Sequence, residues 1–116
     1  MTTEEFRSLA LKNPGAFESE HVGHPDFRFN GKVFATLGYP SEGWAMVKLT
    51  PEQQRSYLKQ APGIFHPAGG AWGKAGSTTI ALGLAKKPIV RAALAAAFGN
   101  LRASREQKVT GKRRGP

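Results

Sequence analysis

The sequence of 116 residues contains no cysteine, which excludes disulfide bonds and thiolate chemistry and fits a cytoplasmic protein. It contains no apolar run near the roughly eighteen residues that a membrane-spanning helix needs. Its first residues, Met1 to Glu5, do not resemble a signal peptide. We therefore expect a cytoplasmic protein that does not enter a membrane. A chain of this length provides one modest hydrophobic core, so we expect a single domain.

Acidic side chains are scarce, with 8 Asp and Glu against 17 Lys and Arg. Residues 1–50 hold five basic and six acidic side chains, whereas residues 51–116 hold twelve basic and only two acidic ones. Such an excess attracts polyanions, whether nucleic acid, an acidic protein or an anionic membrane surface. It carries no information about sequence specificity, and solubility alone is the plainer alternative.

Patterns typical of catalysis or metal binding are also missing. No serine lies in a nucleophile-elbow pattern and no obvious acid–base pair of carboxylates is present, so we expect a protein that is not an enzyme. His21 and His24 precede a proline without a helix to fix their spacing, and His66 is distant in sequence. We therefore expect no metal and no other cofactor, and we expect residues 18–26 to form turns and the entry to a strand.

The strongest local signal is Asn30-Gly31, which lies between two short runs rich in aromatic and β-branched residues and is typical of a type I′ hairpin turn. This turn predicts three cross-strand pairs: Phe29 with Lys32, Arg28 with Val33, and Phe27 with Phe34. Because side chains alternate along a strand, one face receives the three phenylalanines and forms the core. The opposite face receives the other side chains of this hairpin, namely Arg28, Val33 and Ala35.

Helix signals surround this hairpin. Thr2 and Glu5 form a capping box before a first short helix, and Thr50, Pro51 and Gln53 mark the start of a second. A third helix begins near Lys86-Lys87-Pro88 and carries one apolar stripe, formed by Val90, Ala93, Leu94, Ala97, Phe98 and Leu101. We predict further strands at residues 45–49, 64–66 and 77–82. The pattern predicts an α+β fold with two layers, in which helices pack on one face of an antiparallel sheet.

The glycine-rich segment at residues 69–76 does not fit a phosphate-binding loop, because the gap between glycines is wrong and a predicted strand follows. A tight hairpin tip that carries Trp72 and Lys74 fits better. A tryptophan beside a lysine on such a tip is suited to nucleic-acid contact, and the alternative is a tryptophan folded over the edge of the sheet.

The last helix has a basic flank, on which Arg91, Arg102 and Arg105 fall within about sixty degrees of one another. Beyond it we place a domain boundary between residues 1–105 and a tail of residues 106–116. This tail is basic and has no periodicity, so we predict that it is disordered. The candidate nucleic-acid-binding residues are Arg28, Lys32, Trp72, Lys74, Arg91, Arg102, Arg105, Lys112, Arg113 and Arg114.

An ordered set of short motifs resembles the MmcQ/YjbR family of small bacterial proteins over about residues 4–104. The set comprises Phe6 to Leu11, Pro14 to Ala16, His24-Pro25, Phe27-Arg28, Gly31-Lys32, Phe34-Ala35, Val47 to Thr50, Pro62-Gly63 and Trp72-Gly73. The resemblance implies a fold like that of CyaY and frataxin, and a DNA-binding role. It does not imply iron binding here, because the first helix offers only Glu4 and Glu5 where frataxin has an acidic ridge.

Two functions are compatible with these observations. The first is a DNA-binding module that contacts mainly the phosphate backbone, or another polyanion, with little sequence preference. The second is a protein-interaction module that uses the exposed sheet face around Arg28, Val33 and Ala35. We expect a monomer or a weak homodimer in either case.

Overall fold

The computed structural model describes the backbone of residues 1–113 and the side chains of residues 1–104. The helices are α1 (Thr3–Leu11), α2 (Pro51–Gln60), α3 (Gly70–Lys74) and α4 (Lys87–Arg113), with a 3-10 turn at Leu82–Leu84. The strands are β1 (Phe17–His21), β2 (His24–Phe29), β3 (Lys32–Leu37), β4 (Trp44–Lys48), β5 (Phe65–Pro67) and β6 (Ser77–Ala81). Within the described part of the chain, no helix is long and apolar enough to cross a membrane.

The six strands form one antiparallel sheet in the order β1-β2-β3-β4-β6-β5. Helix α4 packs on β3 and β4, α1 packs on α4, and α2 contacts β5 and β6. This arrangement confirms the α+β class with helices on one side of an antiparallel sheet. We call the side under α1, α2 and α4 the covered face, and the opposite side the open face.

The helices begin where capping chemistry predicts. The Thr2 hydroxyl accepts from the backbone N–H of Glu5, and the Thr50 hydroxyl accepts from that of Gln53, both at 3.1 Å. Each capping box closes, because the N3 side chain accepts in turn from the backbone of the cap residue at 2.9 Å. These contacts satisfy N–H groups that would otherwise lack partners at a helix start.

Aromatic rings form the centre of the core on the covered face. Phe6 of α1 meets Phe27 edge to face, with 6.0 Å between ring centroids. Phe98 of α4 contacts Phe29 at 4.7 Å and Phe34 at 5.5 Å. Phe27 and Phe34 are fully buried and Phe29 is half-buried, which confirms the predicted core face of the hairpin.

One part of the predicted register is wrong. Phe29 lies opposite Lys32 and Arg28 opposite Val33, as predicted, but Phe27 lies opposite Ala35 because a β-bulge interrupts the pairing between Phe27 and Arg28. A bulge sets two residues of one strand against one of its partner, so the alternation beyond it changes phase. Ala35 is consequently buried in the covered-face core and does not share a face with Arg28.

Two further segments differ from the sequence prediction. Residues 17–21 form the edge strand β1, which pairs with β2 through a turn at Val22-Gly23, so residues 18–26 belong mainly to strands. Residues 70–74, predicted as a hairpin tip, form the short helix α3 between β5 and β6.

The last helix begins where predicted and extends further along the chain. Pro88 is its second residue, and the helix runs past the predicted domain boundary at residue 105 as far as Arg113. The division into a domain and a basic tail stays a prediction, because the side chains from residue 105 onward lie outside the description, as do residues 114–116 entirely.

Candidate functional site

Strand register determines which side chains share the open face. Arg28 pairs with Val33, Thr36 with Met46, and Met46 with Thr79, so these side chains point to the same side of the sheet. All three histidines also fall on this face: His21 pairs with His24, and His66 pairs with Thr79. Alternation thus gathers side chains from all six strands on one face.

A groove runs along this face over β2, β3 and β4, with a volume of about 480 Å³. It extends from the β1–β2 turn and Tyr39 at one end of the strands to Lys48 and Trp72 at the other. Its floor is largely apolar, formed by Val33, the methyl of Thr36 and Met46, while Asp26 and Arg28 lie in its wall. The groove is within the size range of ordinary small-molecule sites.

Asp26 and Arg28 form the strongest polar contact in the groove. Arg28 donates from Nε to Oδ1 of Asp26 at 2.8 Å and from Nη2 to Oδ2 at 3.0 Å. The carboxylate is only 2% exposed, and its hydrogen bonds to Arg28 raise the pKa of the guanidinium. Such bidentate pairing fixes the plane of the guanidinium and neutralises its charge locally.

Trp72 reaches the groove because α3 is fixed against α2 and β6. The buried side chain of Gln54 in α2 donates to the carbonyl oxygens of Gly73 at 3.0 Å and Ser77 at 2.9 Å. Gly73 is required there, because a Cβ at this position would overlap the backbone carbonyl of Ala68. The indole of Trp72 nevertheless remains 62% exposed.

Basic side chains gather at the end of the sheet where β3 and β6 begin and β4 finishes. Lys32 opens β3, Lys48 closes β4 opposite Ser77, and Lys74 closes α3 just before β6. Helix α4 reaches the same end, since the Asn100 amide donates to the carbonyl of Lys48 at 3.3 Å. Arg102 follows Asn100 by two residues and follows Phe98, which contacts Phe29 of the β2–β3 hairpin, by one helical turn. We call Lys32, Lys48, Lys74 and Arg102 the basic end.

The three lysines of the basic end differ from Arg7, Arg28 and Lys87 in forming no ion pair within the described residues. Lys32, Lys48 and Lys74 make no ion pair with any residue that the structure describes, and all three are exposed. By contrast, Arg7 binds Glu4 and Glu18, and Lys87 binds Glu5 at 2.8 Å. Three of the eight carboxylates are thereby paired on or near α1, and none of the described ones pairs with the three lysines of the basic end.

The structure brings only some of the predicted site residues together. Lys32, Lys74 and Arg102 lie at the basic end, and Arg28 and Trp72 line the groove that reaches Lys48 at the same end. Arg91 lies on the covered side instead, in a depression between α1 and α4 that it shares with Glu4 and Glu5. The side chains of Arg105, Lys112 and Arg113, and all of Arg114, lie outside the described residues.

Lys48 and Tyr39 belong to this site, although sequence reasoning did not select them. The alternation of β4 contains the signal for Lys48, because it places this residue on the face opposite Val47. Tyr39 follows β3 in a loop, and no periodic pattern indicates where a loop side chain points. Among the described residues, no cluster of three or more His, Cys, Asp or Glu side chains could hold a metal ion.

The architecture is a sheet with helices on one face and a groove on the other. A model of the YjbR family matches residues 11–99, about three quarters of the chain, so this protein belongs to the YjbR family. A comparison with curated proteins gave no match. The matched range includes the whole groove and the three lysines of the basic end, whereas Arg102 lies beyond it.

Proposed function

We propose that this protein binds nucleic acid through phosphate contacts at the basic end, with little sequence preference. The observation that carries the proposal is the position of Lys32, Lys48 and Lys74 at one end of the sheet, where none of them forms an ion pair with a described residue. Phosphate contacts supply a large share of the affinity of such proteins and position them on the polymer.

The residues beyond the described side chains add further positive charge. Residues 105–116 contain five basic residues and one acidic residue, and the backbone of α4 is helical as far as Arg113. DNA is the expected polymer, since several lysines at one end of the sheet suit a regular array of phosphates.

The test compares two triple variants that remove the same charge from different surfaces. The first changes Lys32, Lys48 and Lys74 to Gln, and the second changes Lys12, Lys59 and Lys86 to Gln. All six lysines are exposed, and none forms an ion pair within the described residues. Binding to labelled duplex DNA is measured by fluorescence anisotropy across a salt series.

The first variant should lower the slope of log affinity against log salt by up to about 2.7, because each lost phosphate contact removes roughly 0.9. The second should change this slope by less than about 1. An equal decrease of this slope in the two variants would contradict a localised site and would indicate attraction by net charge alone. No binding by the wild type to duplex or single strands at low salt would refute the proposal.

A second candidate is a protein-interaction module, which the apolar floor of the open-face groove favours. A partner protein or a second copy of the chain would cover this floor, and apolar burial depends little on salt. Analytical ultracentrifugation at low and high salt tests the homodimer. A dimer that persists at high salt, together with absent nucleic-acid binding, would favour this candidate over the first.

A further inference from the structure

We propose that the open-face groove takes one unpaired base of a single-stranded nucleic acid, which stacks on Trp72 and presents two adjacent acceptors to Arg28. The inference rests on the proposed function, because the phosphates of the same strand lie on the basic end. The phosphate contacts have little sequence preference, and the groove adds one site that selects an unpaired guanine in a single strand.

Trp72 provides the stacking surface. A tryptophan normally buries most of its large apolar area, yet this indole is 62% exposed at the rim of the groove. Lys48 lines the same rim, and Lys74 lies two residues further along α3. An aromatic ring beside cations that follow the backbone is how proteins hold unpaired strands, because every base has a face that stacks.

Arg28 provides directional donors within the groove. A guanidinium has five N–H groups, and Asp26 accepts two of them, which leaves three for a ligand. Neighbouring N–H groups on Nη1 and Nη2 match two adjacent acceptors, such as O6 and N7 of guanine. Because Asp26 cancels the net charge of Arg28, the pair favours an oriented neutral base over a phosphate.

Both Trp72 and Arg28 line the groove. Its volume of about 480 Å³ accommodates a planar base, and its apolar floor at Val33 and Met46 suits a ring. Because the groove opens at Lys48 and Trp72, a base can enter while its phosphates remain at the surface. A duplex cannot insert a paired base in this way, so the groove distinguishes single strands from duplexes.

The experiment measures the anisotropy of three labelled ligands of equal length. They are a thymidine strand with one central guanine, the same strand with 7-deazaguanine, which lacks the N7 acceptor, and a duplex. The variant is Trp72→Ala, and the matched control is Leu84→Ala, since Leu84 is 66% exposed and is not among the groove residues.

Trp72→Ala should weaken binding of the guanine strand by about 5- to 150-fold and leave duplex affinity within about threefold, whereas Leu84→Ala should change neither. With the wild type, 7-deazaguanine should weaken binding by about fivefold or more relative to guanine. Replacing guanine by 7-deazaguanine tests the contact with Arg28 and leaves Arg28 in place as the partner of the buried Asp26.

The outcomes separate this inference from the proposed function. If the wild type binds duplex and single strand while Trp72→Ala changes neither, the groove inference is overturned and the phosphate site stands. If Trp72→Ala weakens both ligands equally, Trp72 belongs to the basic end and the inference is also overturned. If guanine and 7-deazaguanine bind equally, the role of Arg28 is overturned. If the wild type binds no nucleic acid, both proposals fail.

Discussion

The covered and open faces carry different side chains, although these side chains alternate along the same strands. The covered face buries Phe27, Phe34 and Ile80 under α1 and α4. The open face buries polar groups as well, including Asp26 at 2% exposure and Thr79 at 5%. No helix covers the groove, and its buried polar atoms have partners within the described residues.

This difference indicates that the two faces contribute differently to the stability of the protein. Apolar burial is the main favourable contribution to folding, so the covered face accounts for the stability of the sheet. A buried carboxylate paired with an arginine often contributes little more than an apolar pair of equal volume. The proposed role of the Asp26–Arg28 pair is therefore to orient N–H donors toward the groove.

The largest expected effect lies on the covered face. Leu94→Ala should lower the free energy of unfolding by about 2–5 kcal/mol, because Leu94 is 1% exposed and its truncation leaves a cavity. Leu84→Ala, the same change at a residue 66% exposed, should cost less than about 0.5 kcal/mol. Urea denaturation compares them, and equal midpoints would show that α4 does not pack as described.

The second effect connects stability to the groove. Gly73→Ala should cost about 1–3 kcal/mol or more, because its Cβ overlaps the carbonyl of Ala68 and α3 must move. The displaced helix should also change the fluorescence of Trp72. Gly69→Ala is the matched control, since nothing lies within 4 Å of a Cβ there and its backbone suits alanine. An unchanged midpoint for Gly73→Ala would contradict the position of α3.

The third effect lies in the wall of the groove. Asp26→Asn should cost about 1–3 kcal/mol, because the amide accepts only one of the two hydrogen bonds and its NH₂ faces an arginine donor. Thermal unfolding measures this loss, and Ser19→Ala on the neighbouring strand is the control. Unchanged stability for Asp26→Asn would indicate that the pair does not form.

The smallest effect concerns an exposed ion pair on the covered side. Hydrogen bonds from the Lys87 ammonium, and then from the Thr2 backbone N–H, lower the pKa of Glu5 from 4.5 to about 2. Because the folded pKa is the lower one, this stabilisation is present above about pH 4.5 and is lost as the pH falls toward 2. Glu5→Gln retains the acceptor for the helix cap and removes the ion pair.

The stability difference between wild type and Glu5→Gln should therefore shrink between pH 5 and pH 2. Urea midpoints at several pH values across this window measure it. A difference that stays constant or grows on acidification would contradict the assigned cause of the pKa shift.

Sequence patterns predicted the elements that depend on local chemistry. Asn30-Gly31 predicted the β2–β3 turn, and Thr50 with Gln53 predicted the start of α2, because in each case a few adjacent residues determine the geometry. The β1–β2 turn was missed because Val22-Gly23 contains a β-branched residue at φ +51°, which turn preferences do not anticipate.

Features that depend on distant contacts were not predictable in this way. The bulge beside Phe27 reverses the face of Ala35, and nothing in the local alternation shows where a bulge lies. Met46 is buried although it points to the open face, since the groove walls come from other segments. The likeness to frataxin that the resemblance implies stays a prediction, as does the absence of catalysis.

The most direct test of binding at the basic end and the open-face groove is an NMR titration of the labelled protein with the guanine-containing single strand. We expect amide shifts to concentrate at Lys32, Lys48 and Lys74, and the indole N–H signal of Trp72 to move. Amides around Arg91 on the covered side should remain in place. Shifts centred on α1 and the first turns of α4, with the Trp72 indole unchanged, would contradict the assignment of binding to the basic end and the open-face groove.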